Sequence, residues 1–158
     1  MAPSYANLFM GRLETKLINQ ASEHIHTWKR FIDDIFIIIW TGTTDEFKQY
    51  MDKINLIHPT IKFTYYEISD MEVTFLDVTV YKGERFQATN ILDLKTHIKD
   101  TNKQLYVHSK SYHPHSTIKA IAKGEVNRYL RTNSNQTNFN TMTLKLIHKL
   151  KEDITTIR

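Results

Sequence analysis

Two adjacent carboxylates, Asp33 and Asp34, stand directly before the most apolar run of the chain, residues 35–40. Like charges about 4 Å apart repel by roughly 1 kcal/mol in water and by about 4 kcal/mol at an effective dielectric constant of 20. A sheet gains no stability from such a pair unless a cation offsets it. If residues 28–31 and 35–40 form a hairpin, both side chains lie at its turn, where they could face one space and hold hard divalent cations.

Mg²⁺ suits such a position because it accepts one or two protein carboxylates and completes its shell with water and substrate phosphates. Two of these ions about 3.5–4 Å apart stabilise the attacking and leaving oxygens of a phosphoryl displacement. The sequence therefore suggests a catalytic site with Mg²⁺ held by Asp33 and Asp34. The alternative is ordinary turn chemistry, in which aspartate is a common residue.

Basic residues are concentrated in the second half of the chain. Residues 1–81 carry 7 Lys and Arg against 11 Asp and Glu, whereas residues 82–158 carry 14 against 6. Cations bind nucleic-acid phosphates through counterion release, and Tyr or His rings stack on exposed bases. The alternative is a solvated helix face. The candidate nucleic-acid-binding residues are Lys110, Tyr112, His113, Lys119, Lys123, Arg128 and Arg131.

Apolar periodicity predicts four helices. The first covers about residues 4–21, and the second begins after Thr43 or Thr44, which cap a first turn rich in acidic residues. The third is predicted to start at a Ser116 cap, and a polar loop over residues 132–140 separates it from the last helix. The apolar face of the first helix is formed by Tyr5, Phe9, Leu13 and Leu17.

Strands are predicted between these helices. Residues 35–40 have the composition of a strand that is buried on both faces. Residues 61–68 and 73–81 are expected to pair through a hairpin link at residues 69–72. Asp77 then takes an inward position in the second of these strands, either as a further metal contact or, as we favour, as a buried carboxylate paired with a basic or hydrogen-bonding neighbour.

The residues around the paired carboxylates resemble a known family. The sequence FIDD at residues 31–34, between a basic WKR and the apolar run, is similar to the Tyr/Phe-x-Asp-Asp hairpin of reverse-transcriptase palm domains, specifically that of Penelope-like retroelements. Residues 2–14 resemble the later part of the family's preceding motif, and residues 75–80 resemble the strand after the catalytic hairpin. Residues 94–135 are similar to the segment that leads into and forms the thumb.

The resemblance implies an RNA-directed DNA polymerase of α+β class. Residues 1–100 would be a partial palm with an antiparallel sheet and two packed helices, and residues 101–158 a small basic thumb-like module. Asp33 and Asp34 would be two of three carboxylates that hold two Mg²⁺ ions, with Asp33 favoured as the direct ligand. The implied partners are an RNA template and an RNA/DNA duplex.

The same resemblance implies that the family's first catalytic aspartate and its fingers precede the motif with which this sequence starts. Deoxynucleotide substrates are therefore expected only if that missing N-terminal part is supplied. Two-metal transfer needs all three carboxylates, so we expect no useful polymerase turnover from these 158 residues alone.

Composition limits the other classes of function. The absence of cysteine excludes disulfide scaffolds, zinc ribbons and thiol nucleophiles. No apolar run approaches the roughly 20 residues of a membrane span, so we expect no membrane partner and a nuclear or cytoplasmic location rather than secretion. The second candidate function is a non-catalytic nucleic-acid-binding module whose basic helices look like a helix-turn-helix. The third is a relic of a transposable element that binds nothing specifically.

Overall fold

A computed structural model describes residues 2–20, 23–102, 105–107 and 111–155 of the chain. Its described part is a mixed α+β structure with five helices and two small antiparallel sheets. The chain divides into two compact units, the N-terminal unit Met1–Tyr66 and the C-terminal unit Glu67–Arg158. The boundary expected near residue 100 therefore falls inside the C-terminal unit.

The N-terminal unit contains a β-hairpin and two helices. Its elements are helix α1 (Ala2–Asn19), strands β1 (Ile25–Phe31) and β2 (Asp34–Trp40), and helix α2 (Thr44–Ile54). The C-terminal unit begins with a meander whose strands pair in chain order and ends with two long helices. Its elements are β3 (Glu72–Phe75), β4 (Val78–Tyr81), α3 (Glu84–Thr89), β5 (Asp93–Thr96), α4 (His115–Thr132) and α5 (Gln136–Thr155).

The core of the N-terminal unit lies where α1 meets α2. Leu13 and Leu17 are buried there as predicted, but Tyr5 is 74% exposed and Phe9 38% exposed, so the predicted packed face is confirmed only in its second half. The Tyr50 hydroxyl donates to the Leu17 carbonyl at 3.1 Å. Burial raises the pKa of Tyr50 to about 12.

Helix α2 begins at the predicted cap. The Thr43 hydroxyl accepts from the Glu46 backbone N–H, and the Glu46 carboxylate accepts from the Thr43 backbone N–H at 2.7 Å, which completes a capping box. That backbone hydrogen bond, with a second from the Thr43 hydroxyl, holds the pKa of Glu46 below its usual value. The sequence signal was sufficient here because every partner lies within three residues.

Strands β1 and β2 form the sheet of the N-terminal unit, in antiparallel register from Ile25 opposite Trp40 to Phe31 opposite Asp34. The prediction that residues 35–40 are buried on both faces is wrong for the side chains that can be described. Residues 35–37 are half-buried, because their strand has a single partner strand and packs one face on the core.

The predicted pairing of residues 61–68 with residues 73–81 is wrong. Residues 61–68 form no strand, and the Asn55 side chain satisfies part of that backbone by accepting from the Phe63 N–H at 2.6 Å and donating to the Phe63 carbonyl at 2.9 Å. The second run is itself a hairpin, because Leu76 adopts a left-handed backbone conformation with φ of 56° and reverses the chain between β3 and β4. The Thr74 and Thr79 hydroxyls then meet across the pair at 3.0 Å.

The connection between α4 and α5 is shorter than predicted and is bound to β5. Helix α5 already begins at Gln136, since the Asn135 side chain accepts from the Asn138 backbone N–H at 2.8 Å as a helix cap does. The Ser134 N–H donates to the Leu94 carbonyl at 2.9 Å, and the Leu94 N–H donates to the Ser134 hydroxyl at 2.9 Å. The helices and the meander therefore belong to one unit.

Helix α4 also starts earlier than predicted. It begins at His115 after the extended residue Pro114, whose carbonyl accepts from the Thr117 N–H at 2.9 Å. Ser116 is therefore inside the helix and is not its cap. The core below the two long helices consists of Tyr129, Met142 and Leu146.

Asp93 is the buried carboxylate of the C-terminal unit. Burial raises its pKa, but hydrogen bonds from the Ser134 hydroxyl at 2.8 Å and the Phe86 N–H at 3.3 Å, together with nearby Arg85, outweigh that effect and hold the pKa below its usual value. Gly83 makes room for this arrangement. A Cβ atom at Gly83 would stand 2.6 Å from Tyr81 Cε2 and 2.7 Å from Asp93 Oδ2.

We expect Gly83→Ala to destabilise the C-terminal unit by about 1–3 kcal/mol, because the added methyl group overpacks the site of Asp93. Native-state hydrogen exchange at the Tyr129 and Leu146 amides measures the opening of this unit. Gly124→Ala is the matched control: Gly124 lies mid-helix with nothing within 4 Å of its Cβ position, so the substitution should stabilise by about 1 kcal/mol. Equal effects of the two substitutions would contradict the steric argument.

Candidate metal-binding hairpin and basic helix face

The hairpin between β1 and β2 closes through a two-residue loop, Ile32-Asp33. Ile32 has φ of 57°, and Asp33 is not among the residues with positive φ, which is the sign pattern of a type II′ turn. Glycine is the usual residue at the first position of this turn. A β-branched side chain there costs about 1–2 kcal/mol, and strained positions of this kind cluster at functional sites.

Asp33 and Asp34 occupy the tip of this hairpin. Asp33 is the second loop residue and Asp34 is the first residue of β2, and both are exposed. Among the described residues, neither carboxylate has a hydrogen-bond or ion-pair partner. Because side chains alternate along a strand, Asp34 shares a face with its partner Phe31 and lies opposite to the face that carries Trp28 and Arg30.

A part-buried ion pair holds the hairpin on α1. The Glu14 carboxylate accepts from Arg30 Nε at 2.7 Å and from Trp28 Nε1 at 3.0 Å, and the Glu14 and Arg30 side chains are each 13% exposed. Arg30 Nη1 also donates to the Ile32 carbonyl at 3.0 Å, inside the strained loop. Arg30 therefore braces the turn, while Glu14 already neutralises its charge.

The hairpin between β3 and β4 has the same construction. Its two-residue loop is Leu76-Asp77, Leu76 has φ of 56°, and a phenylalanine, Phe75, precedes it as Phe31 precedes Ile32. Asp77 is thus a loop residue and not, as predicted, an inward residue of a continuous strand. Its side chain is 48% exposed rather than buried, and it does pair with a cation, since Arg128 Nη1 lies 3.4 Å from its carboxylate.

The two loops have the same left-handed residue at their first position but differ in the charges that lie beside their aspartates. Asp77 faces Arg128, whereas no cation of the described structure pairs with Asp33 or Asp34. The adjacent pair at the first loop therefore remains available to a solvent cation.

Helix α4 carries the predicted basic face. Lys119, Lys123 and Arg131 are exposed at intervals of four or eight residues, so they lie along one side of the helix. Tyr112 and His113, just before the helix, are also exposed. Lys110 lies outside the described residues.

Arg128 does not belong to this exposed face. Its guanidinium lies 2.9 Å from Glu125 and 3.4 Å from Asp77. Burial acts to lower the pKa of Arg128, but Glu125 and Tyr129 outweigh it, so the pKa lies above its usual value. Arg128 is thus held by two carboxylates within the C-terminal unit, and its assignment to nucleic-acid binding stays a prediction.

In the part of the chain that the structure describes, no group of three or more His, Asp or Glu side chains could hold a metal ion. Mg²⁺ accepts as few as one or two protein carboxylates, so the Asp33 and Asp34 donor set fits that cation without a third ligand. Within the same described residues, no helix has the length and apolarity to cross a membrane.

Comparison with known proteins identifies no relative. No protein-family model matches the chain, and neither a curated protein nor a solved structure resembles it significantly. The function is therefore inferred from the hairpin and the helix face themselves.

Sequence reasoning missed two features of the site. The recurrence of Phe, an aliphatic residue and Asp at residues 31–33 and 75–77 was a signal that both segments form the same turn. The Glu14–Arg30 pair had no local signal, because its partners are 16 residues apart and meet only when α1 packs on β1.

We expect Glu14→Ala to lower the free energy of unfolding of the N-terminal unit by about 1–3 kcal/mol, because it leaves the part-buried guanidinium of Arg30 without its carboxylate partner. Urea unfolding followed by tryptophan fluorescence measures this, since both tryptophans of the sequence, Trp28 and Trp40, lie in that unit. Glu23→Ala, at a side chain that is 84% exposed, should change the midpoint little. Equal unfolding midpoints for Glu14→Ala and Glu23→Ala would contradict a stabilising role of the Glu14–Arg30 pair at the turn.

Proposed function

We propose that this chain supplies the metal-binding hairpin of a reverse-transcriptase-type nucleotidyl transferase, an RNA-directed DNA polymerase that works on an RNA template and an RNA/DNA duplex. The N-terminal unit would be part of a palm. The proposal rests on the resemblance of FIDD and its flanking residues, and on the chemistry of the hairpin tip.

One observation carries the proposal. Of two hairpin loops with the same construction, one has its aspartate paired with Arg128, and the other presents two adjacent carboxylates with no cation paired to them in the described structure. If the carboxylates of Asp33 and Asp34 lie about 4 Å apart, a divalent ion relieves a repulsion of roughly 1 kcal/mol in water. Leu76 has the same left-handed backbone as Ile32, so the two loops are distinguished by the partner of the aspartate and not by strain.

The resemblance supplies the roles of the two aspartates, and the hydrogen bonds of the hairpin suggest the role of Arg30. Asp33 and Asp34 would hold Mg²⁺ at the tip, with Asp33 as the direct ligand, and Arg30 would fix the loop that orients them. When bound, Mg²⁺ would supply charge stabilisation for phosphoryl transfer. The family's mechanism uses three carboxylates, so these two alone would bind metal without performing useful polymerisation.

The first test is metal binding by the purified chain. Mn²⁺ prefers the same oxygen ligands as Mg²⁺ and broadens nearby amide resonances. We expect broadening to centre on residues 31–35 and Asp33→Asn to weaken Mn²⁺ binding at least about thirtyfold, since a unit charge about 4 Å from a divalent cation already contributes roughly 2 kcal/mol in water.

The matched control is Asp77→Asn, at the equivalent position of the other loop. It should leave Mn²⁺ binding within about twofold, because Arg128 already neutralises Asp77. Broadening that is spread over all exposed carboxylates, or equal losses in the two variants, would contradict a metal site at the β1–β2 tip.

The second candidate function is nucleic-acid binding by the exposed face of α4, favoured by the alignment of Lys119, Lys123 and Arg131. Each phosphate contact contributes a slope of about −0.9 to a plot of log affinity against log salt for duplex DNA. Charge reversal of all three residues should therefore flatten the slope by about 3, measured by fluorescence anisotropy on a duplex.

A variant with Lys82, Lys99 and Lys145 changed to Glu controls for net charge. These lysines are exposed in the same unit and the substitution removes the same charge. If both triple variants lose affinity and slope alike, the α4 face is not the binding surface. If neither affects binding, or binding is weak and insensitive to salt, the second candidate function is wrong.

A further inference from the structure

A cleft whose lining includes neither Asp33 nor Asp34 opens on the N-terminal unit. It has a volume of about 250 Å³ and lies between α1 and the segment that follows α2. The residues that line it are Phe9, Arg12, Leu13, Lys16, Ile57 and His58. Three of these side chains are apolar, and the other three are cations or hydrogen-bond donors.

The polar half of the cleft is suited to an anion. Arg12 and Lys16 are one helical turn apart on α1, both are exposed, and neither has a hydrogen-bond or ion-pair partner among the described residues. His58 Nδ1 accepts from the Thr60 backbone N–H at 3.3 Å, so the hydrogen of the neutral ring is on Nε2, which is left as a donor. None of the six lining residues is acidic.

The apolar half offers flat surface next to these donors. Leu13 is buried and Ile57 half-buried, and they form the floor. The ring of Phe9, 38% exposed, meets the His58 ring edge-on at 5.4 Å between centroids. An aromatic ligand group can stack or lie edge-on at such a surface.

We propose that this cleft binds a nucleotide without a metal ion, with its phosphate on Arg12, Lys16 and His58 and its base against Phe9 and Ile57. At about 250 Å³ the cleft is smaller than the roughly 300–1,000 Å³ of pockets that enclose drug-sized ligands, so a bound nucleotide would be only partly enclosed. The same chemistry is presented by a free mononucleotide and by the terminal nucleotide of a single strand. The site goes beyond the proposed polymerase function, because it uses neither Asp33 nor Asp34.

A structural role is evident for only one of the two cations that line the cleft. Lys16 lies in the last turn of α1, where a cation complements the helix dipole. Arg12 lies outside that turn and faces the cleft with no acidic neighbour lining it. The pair as a whole is therefore better accounted for by an anionic ligand.

The experiment is an amide chemical-shift titration of the full chain in EDTA, which removes any contribution of a metal at the β1–β2 hairpin. The probes are adenosine 5′-monophosphate, adenosine, inorganic phosphate and a 5′-phosphorylated tetranucleotide. We expect the monophosphate to shift residues 9–16 and 57–60, and to bind at least about tenfold more tightly than adenosine or inorganic phosphate. A tetranucleotide that binds more tightly than the monophosphate identifies a strand as the source, and the reverse order identifies a free nucleotide.

Two sets of variants separate the halves of the cleft. Arg12→Gln with Lys16→Gln should weaken monophosphate binding at least about tenfold, while Lys48→Gln with Lys53→Gln, exposed cations of α2, should change it less than about twofold. Phe9→Ala should weaken binding of the monophosphate and leave that of inorganic phosphate unchanged. All these side chains are at least partly exposed, and the amide spectrum itself verifies that each variant is folded.

Three outcomes would overturn the proposal. They are equal affinity for the monophosphate and adenosine, equal loss in the two double-Gln variants, and shifts that map to α4 or to the hairpin instead of the cleft. If no nucleotide binds at the cleft, the prediction of Mn²⁺ binding at Asp33 is unaffected. If Mn²⁺ does not bind there, the prediction of nucleotide binding at the cleft is unaffected, so the two proposals are tested separately.

Discussion

The left-handed backbone at Ile32 is the constraint on which the arrangement of the N-terminal unit depends. In a continuous strand, Asp33 and Asp34 would alternate to opposite faces and could not act on one ion. The tight reversal takes Asp33 out of that alternation and leaves Asp34 at the first strand position. Arg30 holds the reversal by binding the Ile32 carbonyl, and Glu14 fixes Arg30 to the first helix. Helix α1 therefore contributes to the stability of the turn through Glu14.

The β3–β4 hairpin has a loop of the same construction, but a basic side chain of the protein lies beside its aspartate. Leu76 repeats the backbone of Ile32, and Asp77 repeats the position of Asp33, but Arg128 neutralises that carboxylate and is itself held by Glu125. A turn of this shape is therefore not enough to make a binding site. The difference lies in the partner that folding brings to the aspartate, and this is a property of the tertiary structure.

Local signals in the sequence were sufficient for the start of α2 and for the hairpin tip, and insufficient for the starts of α4 and α5 and for strand pairing. The Thr43 capping box and the position of Asp33 at a turn involve residues within three of each other. The alternating pattern of residues 73–81 fits one long strand as well as two short ones, because a two-residue loop preserves the alternation on each side. Asn55 hydrogen-bonds to the backbone of Phe63, 8 residues away, and Arg128 pairs with Asp77, 51 residues away. Apolar periodicity carries no information on either contact.

The short linker between α4 and α5 hydrogen-bonds to β5 on the side that β4 does not occupy. Asn133 and Ser134 hydrogen-bond to the Leu94 N–H, the Leu94 carbonyl and the Thr96 N–H on the outer side of β5, and the Thr132 and Thr96 hydroxyls meet at 2.6 Å. Residues added at this junction would have to open these bonds and expose an unpaired strand. The length of the connection is therefore constrained by its hydrogen bonds to β5 more strictly than the length of a loop that runs through solvent.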